Sequence, residues 1–350
     1  MVTRNYAVGS GVLHDPVVTY ALSVCGDWMR AKELKSRLRQ VAGVRVDALL
    51  RSMVDHRLLV RSDDPGDPRE RAADTWGAWN PAAGFFHQST KNVPIAADRT
   101  AREHELHRKY EQKGTPAKIK RYPRARTVAL PRVETSGEFT SVLTARRTWR
   151  WFSPEPVRLA DIATLLQLTC GVQRIEQSVG LGPVHLKTSP SSGARQPLEA
   201  YLLAVNVSGL AAGLYHYVPD RHQLELVKRG ASRKTVADYV PGQPWYEPAA
   251  ALLILTAVFE RTQWRYPFAR AYRSVLLEAG HVIQTFCLVA TWLGLAPFCT
   301  GRFSDAVIER ELKIDGITES YVYSAGIGSR PPGLDWAPWP PDMEPQQDAT

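Results

Sequence analysis

The sequence predicts a protein of mixed helices and strands, in which a small winged-helix-like unit precedes a larger body. Three patterns carry that expectation. In VDALLRSMVDHRLLVRS, residues Val46, Leu49, Leu50, Met53 and Val54 recur at helical spacing. The segments LEAYLLAVNV and GLYHYVPDRHQLELV alternate as two strands joined by a glycine-containing connection, resembling a hairpin. AYRSVLLEAGHVIQTFCLVATWLGL is a long, largely apolar helix, which must be buried on most sides and is of a kind often found at subunit interfaces.

In chain order, AKELKSRLRQVAG and VDALLRSMVDHRLLVRS predict two short helices and a strand, with Asp47 able to cap the second helix. A DNA-reading helix would aim several exposed Arg, Asn or Gln at base edges; only Arg51, His56 and Arg57 qualify, which argues against nucleic acid as a partner. SDDPGDPRERA at 62 to 72 and the stretch 113 to 137 are rich in turn formers and charge and mark loops. Between them, FFHQSTKN and AREHELHRKYEQK predict a connecting helix. Its HELH tempts a metal reading, but His104 and His107 lie three apart rather than the four of HExxH and no third ligand is evident, so a solvated helix face is expected. Helical patterns at 138 to 146 and 159 to 170 lead to the polar turn SPSSGARQP, the two strands, a buried strand ALLILTAVF at 251 to 259, the long helix, and a last strand ESYVYSAGIG. The Trp- and Pro-rich DWAPWPP is expected to extend over the surface. The resulting division is 1 to 95 for the N-terminal unit, 96 to 137 for a basic linker, 138 to 335 for the main domain and 336 to 350 for the tail.

At 350 residues the chain has room for one large catalytic domain plus an appendage. No run of about 18 apolar residues is present to span a bilayer, and MVTRNYAVGSGVLHDP has no apolar stretch behind its early arginine, so no membrane association and a cytoplasmic location are expected. Cys25, Cys170, Cys287 and Cys299 form no CxxC pair, which argues against a disulfide framework and a zinc site. Of the formal net charge of +9, residues 102 to 126 hold nine Lys or Arg against three Glu, so the excess is a local strip rather than a basic surface.

RRTWRWFSPEPV sets Arg146, Arg147, Thr148 and Arg150 within five residues at the end of a helix, a cluster able to neutralise and grip a phosphate dianion, or equally a solvated basic turn. In SPSSGARQPLEAYL, beginning at Ser189, small residues allow close backbone approach to a flat ligand, and Ser191, Ser192 and Arg195 offer donors to carbonyl oxygens. PFCTGRF places Gly301 where a bare backbone N–H can face a ring nitrogen, and GIGSR ends the last strand with two glycines and Arg330. Each element is weak alone; four in this order are not.

Residues 138 to 330 resemble the nitroreductase superfamily of FMN enzymes, and within it the SagB/ThcOx branch of dehydrogenases that oxidise azolines to thiazoles and oxazoles in peptide natural products. The resemblance implies an α+β fold, a central mostly antiparallel sheet flanked by helices, dimerising through its long helices with two FMN sites at the interface. It maps the phosphate-binding element onto Arg146, Thr148, Arg150 and Phe152, and the branch motif onto PSSGARQPLE, so that Ser191, Ser192 and Gly193 line the isoalloxazine. Gly301 corresponds to the backbone donor near flavin N5; Arg302, inserted before the Phe, departs from the pattern. AYRSVLLEAGH matches the branch's helix, where Tyr272, Arg273 and His281 read mainly as structural. The resemblance further implies that the N-terminal unit is an accessory module for a peptide leader or a partner protein.

Azoline oxidation requires a base to remove a carbon-bound proton while hydride passes to the flavin. Where azole-forming relatives carry a Lys-Tyr pair, this chain has Arg265 and Tyr266. Arginine does not take a proton in this range, so Tyr266 is the candidate base, with Arg265 either favouring its phenolate or holding an acidic substrate; packing of both at the rim is the plain alternative. Three readings follow: oxidation of a peptide or carrier-bound intermediate, nicotinamide-dependent reduction of nitro compounds or quinones, and a non-catalytic partner that keeps FMN or only the fold and acts as a scaffold in a modifying complex.

Overall fold

The computed structural model describes residues 2–5, 9–12, 16–25, 29–41, 46–56, 58–63, 72–92, 99–132, 135–178 and 182–334. The Pro/Trp-rich tail, most of the 62 to 72 loop and Arg57 lie outside the described residues. The chain opens with strands β1 (Val2–Asn5) and β2 (Gly9–Val12) and helices α1 (Pro16–Val24), α2 (Ala31–Val41) and α3 (Val46–Asp55). Helices α4 (Asn80–Ser89), α5 (Arg99–Lys113) and α6 (Glu138–Ala145) come next. The body continues through β3 (Val157–Arg158), α7 (Leu159–Thr169), β4 (Arg174–Ser178), β5 (Gly182–Leu186), β6 (Leu198–Ala204), β7 (Val207–Ser208), β8 (Gly213–Val218) and β9 (Gln223–Arg229). It closes with α8 (Arg233–Tyr239), β10 (Ala251–Val258), α9 (Glu260–Gln263), α10 (Ala271–Trp292), β11 (Leu295–Thr300), α11 (Asp305–Leu312) and β12 (Glu319–Ser329).

Six strands form an antiparallel sheet in the order β11-β12-β10-β6-β8-β9. β10 is central because it can be dry on both faces. Ala251, Leu253, Leu255 and Ala257 meet the core beneath α7 and α10, whereas Leu252 and Ile254 meet a second core beneath α8 and α11. A strand so placed shows a continuous apolar run instead of alternation. The expected α+β body with its mostly antiparallel sheet is what forms.

α10 is long and apolar enough, by length and composition, to cross a membrane, yet half of that stretch is buried within the fold. Val275, Ala279, Val282, Ile283 and Phe286 of α10 share a core with Ile162, Leu165 and Leu166 of α7 and with the sheet. At about 25 cal/mol per Å² of apolar surface, removing such side chains from water is the main stabilising contribution of this layer.

Three local expectations differ from the structure. β11 forms from LAPFCT, which reads as a loop in sequence, and the expected second strand at 213 to 227 is a pair, β8 and β9, around a tight turn. Among the described residues no strand follows α3: the N–H groups of Leu58 and Leu59 both turn back to the Met53 carbonyl (2.7 and 3.1 Å), and their side chains complete a small core with Val18, Leu34, Leu38, Val46 and Met53. Asp47 lies in the first turn of α3 and pairs with Lys35 of α2 at 2.5 Å, tying the two helices together.

Residues 72–92 pack with the body rather than with that small core. Trp76 and Trp79 are fully buried and bond through Nε1 to the carbonyls of Ile317 and Tyr266 (2.9 Å each). His87 on α4 lies between the Tyr272 hydroxyl (3.0 Å) and Ser320 Oγ (2.8 Å), and burial with the nearby Lys91 pushes its pKa down to about 3. FFHQSTKN therefore belongs to a helix clamped on the sheet, and α5 is separate, with His104 and His107 exposed on it.

Two glycines of β12 set the packing. Gly326 faces the Phe298 ring and Leu252, and a Cβ on Gly328 would stand 2.5 Å from Phe152 Cδ1. Gly328→Ala is expected to lower stability by about 1–3 kcal/mol in urea unfolding. Most of that loss should vanish in a Phe152→Ala background; a penalty of the same size in both backgrounds would show that Phe152 is not what the missing Cβ accommodates.

Candidate active site

α6 ends at Ala145, and the next seven residues run extended beside the sheet. Trp149 N–H donates to the Pro297 carbonyl and Ser153 N–H to the Ser329 carbonyl, both at 2.9 Å. Trp149 (1% exposed) and Phe152 face inward, so Arg146, Arg147, Thr148 and Arg150 lie half-buried around them. Arg147 Nη1 donates to the carbonyls of Thr144 and Arg146 (2.8 Å each), closing the end of α6. Arg330 arrives from β12 with its guanidinium carbon 5.4 Å from the Trp149 ring centroid. Its Nε donates to the Leu295 carbonyl (2.9 Å) and its Nη2 to the Thr291 carbonyl (3.2 Å), at the negative end of α10. Arg330 thus braces the cluster through main-chain carbonyls.

The turn 189–196 is strained. Gly193 is left-handed (φ 59°), and so are the non-glycine residues Ala194 (φ 51°) and Gln196 (φ 48°), at about 1 kcal/mol or more each. One anchor on α10 holds it. Ser189 Oγ bonds Thr285 Oγ1 at 3.0 Å, and Glu278 lies buried two helical turns earlier on the same face. Ser191 Oγ accepts the Gln196 N–H (2.9 Å), so this hydroxyl is engaged inside the turn instead of being free for a ligand carbonyl. Arg195 stacks over Trp264, 5.0 Å from the ring centroid, while its buried Nε has no hydrogen-bond partner within the chain.

The turn sets one predicted residue, Gly193, against the predicted Arg265–Tyr266 pair. A Cβ on Gly193 would stand 2.7 Å from the Tyr266 hydroxyl and 2.8 Å from Arg265 Cδ. Arg265 is exposed and Tyr266 half-buried, with the guanidinium 5.6 Å from the phenol ring centroid. Gly301 follows β11, exposed, and a Cβ there would meet no protein atom within 4 Å. Arg302, the departure from the family pattern, donates to the Gly242 carbonyl (3.3 Å), while its own carbonyl accepts from Gln243 (3.0 Å); it fastens the end of β11 to the turn before β10.

Two features escape a reading of the sequence. Glu278 is 4% exposed on an otherwise apolar helix face, and burial pushes its pKa up to about 7, against the pull of Ser191, Lys187 and the Ser192 N–H. Between its ordinary value of 4.5 and 7 the folded chain holds a proton that the unfolded chain has released. The associated stability, on the order of 3 kcal/mol, is full below the lower value and is lost as pH rises through the upper one. The second feature is that Cys287 and Cys299, spaced as unrelated residues in sequence, meet across α10 and β11. Cys287, with the Tyr323 hydroxyl and Arg146 nearby, holds the Cys299 thiol below its usual range.

Residues 143–329 match the nitroreductase family. Over 187 residues the chain is 34% identical to the nitroreductase-family protein MJ1384 of Methanocaldococcus jannaschii, covering 53% of this chain and 89% of that protein. It is 32% identical to the trifolitoxin-processing protein TfxB of Rhizobium leguminosarum bv. trifolii over 48% of this chain and 47% of TfxB. It is also 30% identical to the microcin B17-processing protein McbC of Escherichia coli, over 36% of this chain and 48% of McbC. The matches thus span about half the length of the two processing proteins. Among solved structures, a chain of the E. coli microcin synthetase McbBCD complex with truncated pro-MccB17 shares the fold at 20% identity and a TM-score of 0.51, over 74% of this chain and 97% of that one. The chain belongs to the nitroreductase family.

Gly193→Ala puts a side chain into a left-handed position and against the Arg265–Tyr266 pair. The expected result is a loss of about 1 kcal/mol with a changed near-ultraviolet circular dichroism from the Trp264 and Tyr266 surroundings. An unaltered spectrum would contradict the contact.

Proposed function

We propose that this nitroreductase-family chain is an FMN-dependent oxidoreductase acting on a peptide or carrier-bound intermediate in natural-product biosynthesis, by azoline-to-azole oxidation. The observation that carries the reading is the packing of Tyr266 and Arg265 against a left-handed glycine in the turn 189–196. It sets the Tyr266 hydroxyl beside a surface where backbone can approach a flat ring. The trifolitoxin- and microcin B17-processing relatives support the peptide substrate.

The residues suit the cofactor. A phosphate would be gripped by Arg146, Arg147, Thr148 and Arg150 around the buried Trp149, with Arg330 bracing that tryptophan. Ser189, Ser191, Ser192 and Gly193 would form the ring wall, where Arg195 has an unpartnered buried Nε and Gly301 a backbone with open space beside it. FMN, when bound, supplies the hydride acceptor. Tyr266, as its phenolate, would take the proton from the substrate carbon. Arg265, a permanent cation, would hold an acidic group of the substrate. Where the lysine of azole-forming relatives is absent, proton removal falls on the phenol alone.

The partner in this reading is a second copy of the chain. Phe139 and Leu143 on α6 and Leu276, Leu277 and Trp292 on α10 expose apolar side chains on neighbouring helices, with Trp292 Nε1 bonded to Glu138 (2.7 Å). An unpaired apolar face of this kind fits a homodimer interface. The N-terminal helices would serve a peptide leader or a partner protein, and the protein would work in the cytoplasm.

The test is anaerobic. Flavin bleached by an azoline-containing peptide supports the reading; flavin bleached only by NAD(P)H, with reoxidation by a nitroaromatic, replaces it with a reductase. Tyr266→Phe should slow peptide-driven bleaching by about 10²-fold or more while retaining FMN. Arg146→Ala and Arg150→Ala should each weaken FMN binding by roughly 10- to 100-fold, the loss of one charge-assisted contact to phosphate. Unchanged FMN binding in both arginine variants would remove the phosphate site.

A further inference from the structure

We propose that Gln243 is a positioning residue for Gly301: its buried amide closes a ring of hydrogen bonds that fixes the loop after β11 in the conformation a flat ligand would meet. For a flavin this rests on the FMN reading; for the loop by itself it does not.

Gln243 is 8% exposed, and both ends of its amide are engaged by one loop. Its Nε2 donates to the Arg302 carbonyl at 3.0 Å, the Arg302 N–H donates to Thr300 Oγ1 at 3.2 Å, and the Thr300 hydroxyl donates to Gln243 Oε1 at 2.9 Å. Chemistry fixes the direction of this ring. The Arg302 carbonyl can only accept, so the amide presents its NH2 there; the Thr300 hydroxyl already accepts from Arg302 and turns its proton to the amide oxygen. Only a side chain that both donates and accepts closes the ring, and methionine, of similar length, cannot. Buried hydrogen bonds polarise one another, so opening one weakens the other two.

The ring encloses Gly301. Its two neighbours, Thr300 and Arg302, are both pinned, while Gly301 itself is exposed and a Cβ there would meet no protein atom within 4 Å. A glycine between unpinned peptides would sample a wide range of conformations, and a ligand would have to order it on binding. The mount of the ring is firm. Tyr246, in the same turn as Gln243, stacks on Phe298 of β11 with ring centroids 3.8 Å apart and planes 5° from parallel. The Tyr246 N–H returns to the Gln243 carbonyl at 3.0 Å, and on the far side of the loop the Ser304 N–H donates to the Tyr239 carbonyl at 3.0 Å. Gln243 is thus held to β11 and holds in turn the loop that β11 leads into. Arg302, which departs from the family pattern, supplies both main-chain corners of the ring.

The test separates loop from ligand. In the flavin-free full-length chain, amide hydrogen exchange of peptides covering 299–304 should quicken about fivefold in Gln243→Met and in Thr300→Val, the loss of about one net hydrogen bond. Thr300→Ser, which keeps the hydroxyl, should restore the wild-type rate. The double variant Gln243→Met/Thr300→Val should exchange no faster than either single one, since both open the same ring. In the flavin-loaded chain, Gln243→Met should weaken FMN and riboflavin equally, by about fivefold, and shift the visible flavin absorption, because the loop meets the flat ring and not the phosphate. If Gln243→Met does not fold, Gln243→Asn, an amide too short to reach both partners, takes its place. Unchanged exchange in the Gln243 variant, additive effects in the double variant, or flavin affinity and spectrum unmoved once the loop has loosened would each overturn the proposal. A loop that loosens as expected in a chain whose wild type takes up no flavin would uphold the ring and overturn the FMN reading.

Discussion

The burial of α10 is the constraint on which the rest of the structure depends. One face packs with α7 and the sheet, and that packing fixes the helix as a frame to which separate parts of the site are attached. Thr285 holds the 189–196 turn, Thr291 receives the brace from Arg330, Cys287 meets Cys299, and Tyr272 receives His87 from α4. Loops gain precision when rigid elements supply their restraints, and here one helix supplies them to residues from four different stretches of chain.

The same frame explains why strain is tolerated. A run of left-handed residues is unfavourable alone. The turn pairs its own donors, Ala194 N–H to the Ser191 carbonyl and Gln196 N–H to Ser191 Oγ, and Ser189 ties it to Thr285 of α10. On the opposite side, the buried Trp149 turns an extended basic stretch into an ordered one, because its backbone is paired to Pro297 and its ring is covered by Arg330. Both halves of the candidate site are thus small departures from ideal structure supported by a conventional core.

Periodicity alone makes much of this legible. α10, β6, β10 and β12 are readable because continuous or alternating apolar runs directly reflect which faces are dry. β11 is missed because six residues containing a proline and a cysteine carry no period, and its place is set only by pairing with β12. The strand expected after α3 fails because two backbone N–H groups share the Met53 carbonyl, a local closure that apolar patterning does not encode. RRTWRWF and PSSGARQPLE are recognisable by composition and order. The engagement of Ser189 with Thr285, of Arg330 with α10 and of Cys287 with Cys299 depends on chain-distant contacts. One signal for Glu278 is present in the sequence: a carboxylate within VLLEAGHVI, on a helix that must be buried on most sides, requires a partner.

The N-terminal helices have a core of their own, whereas Trp76, Trp79 and His87 pack with the body. That leaves the ligand as the centre of the account, and the phosphate is its most discriminating part. The direct measurement is the affinity of the flavin-free chain for FMN against riboflavin, which differ only by that group. FMN is expected to bind tighter by about 10²-fold or more, as two charge-assisted contacts require, with the difference shrinking at high salt. Equal affinities for the two would contradict it.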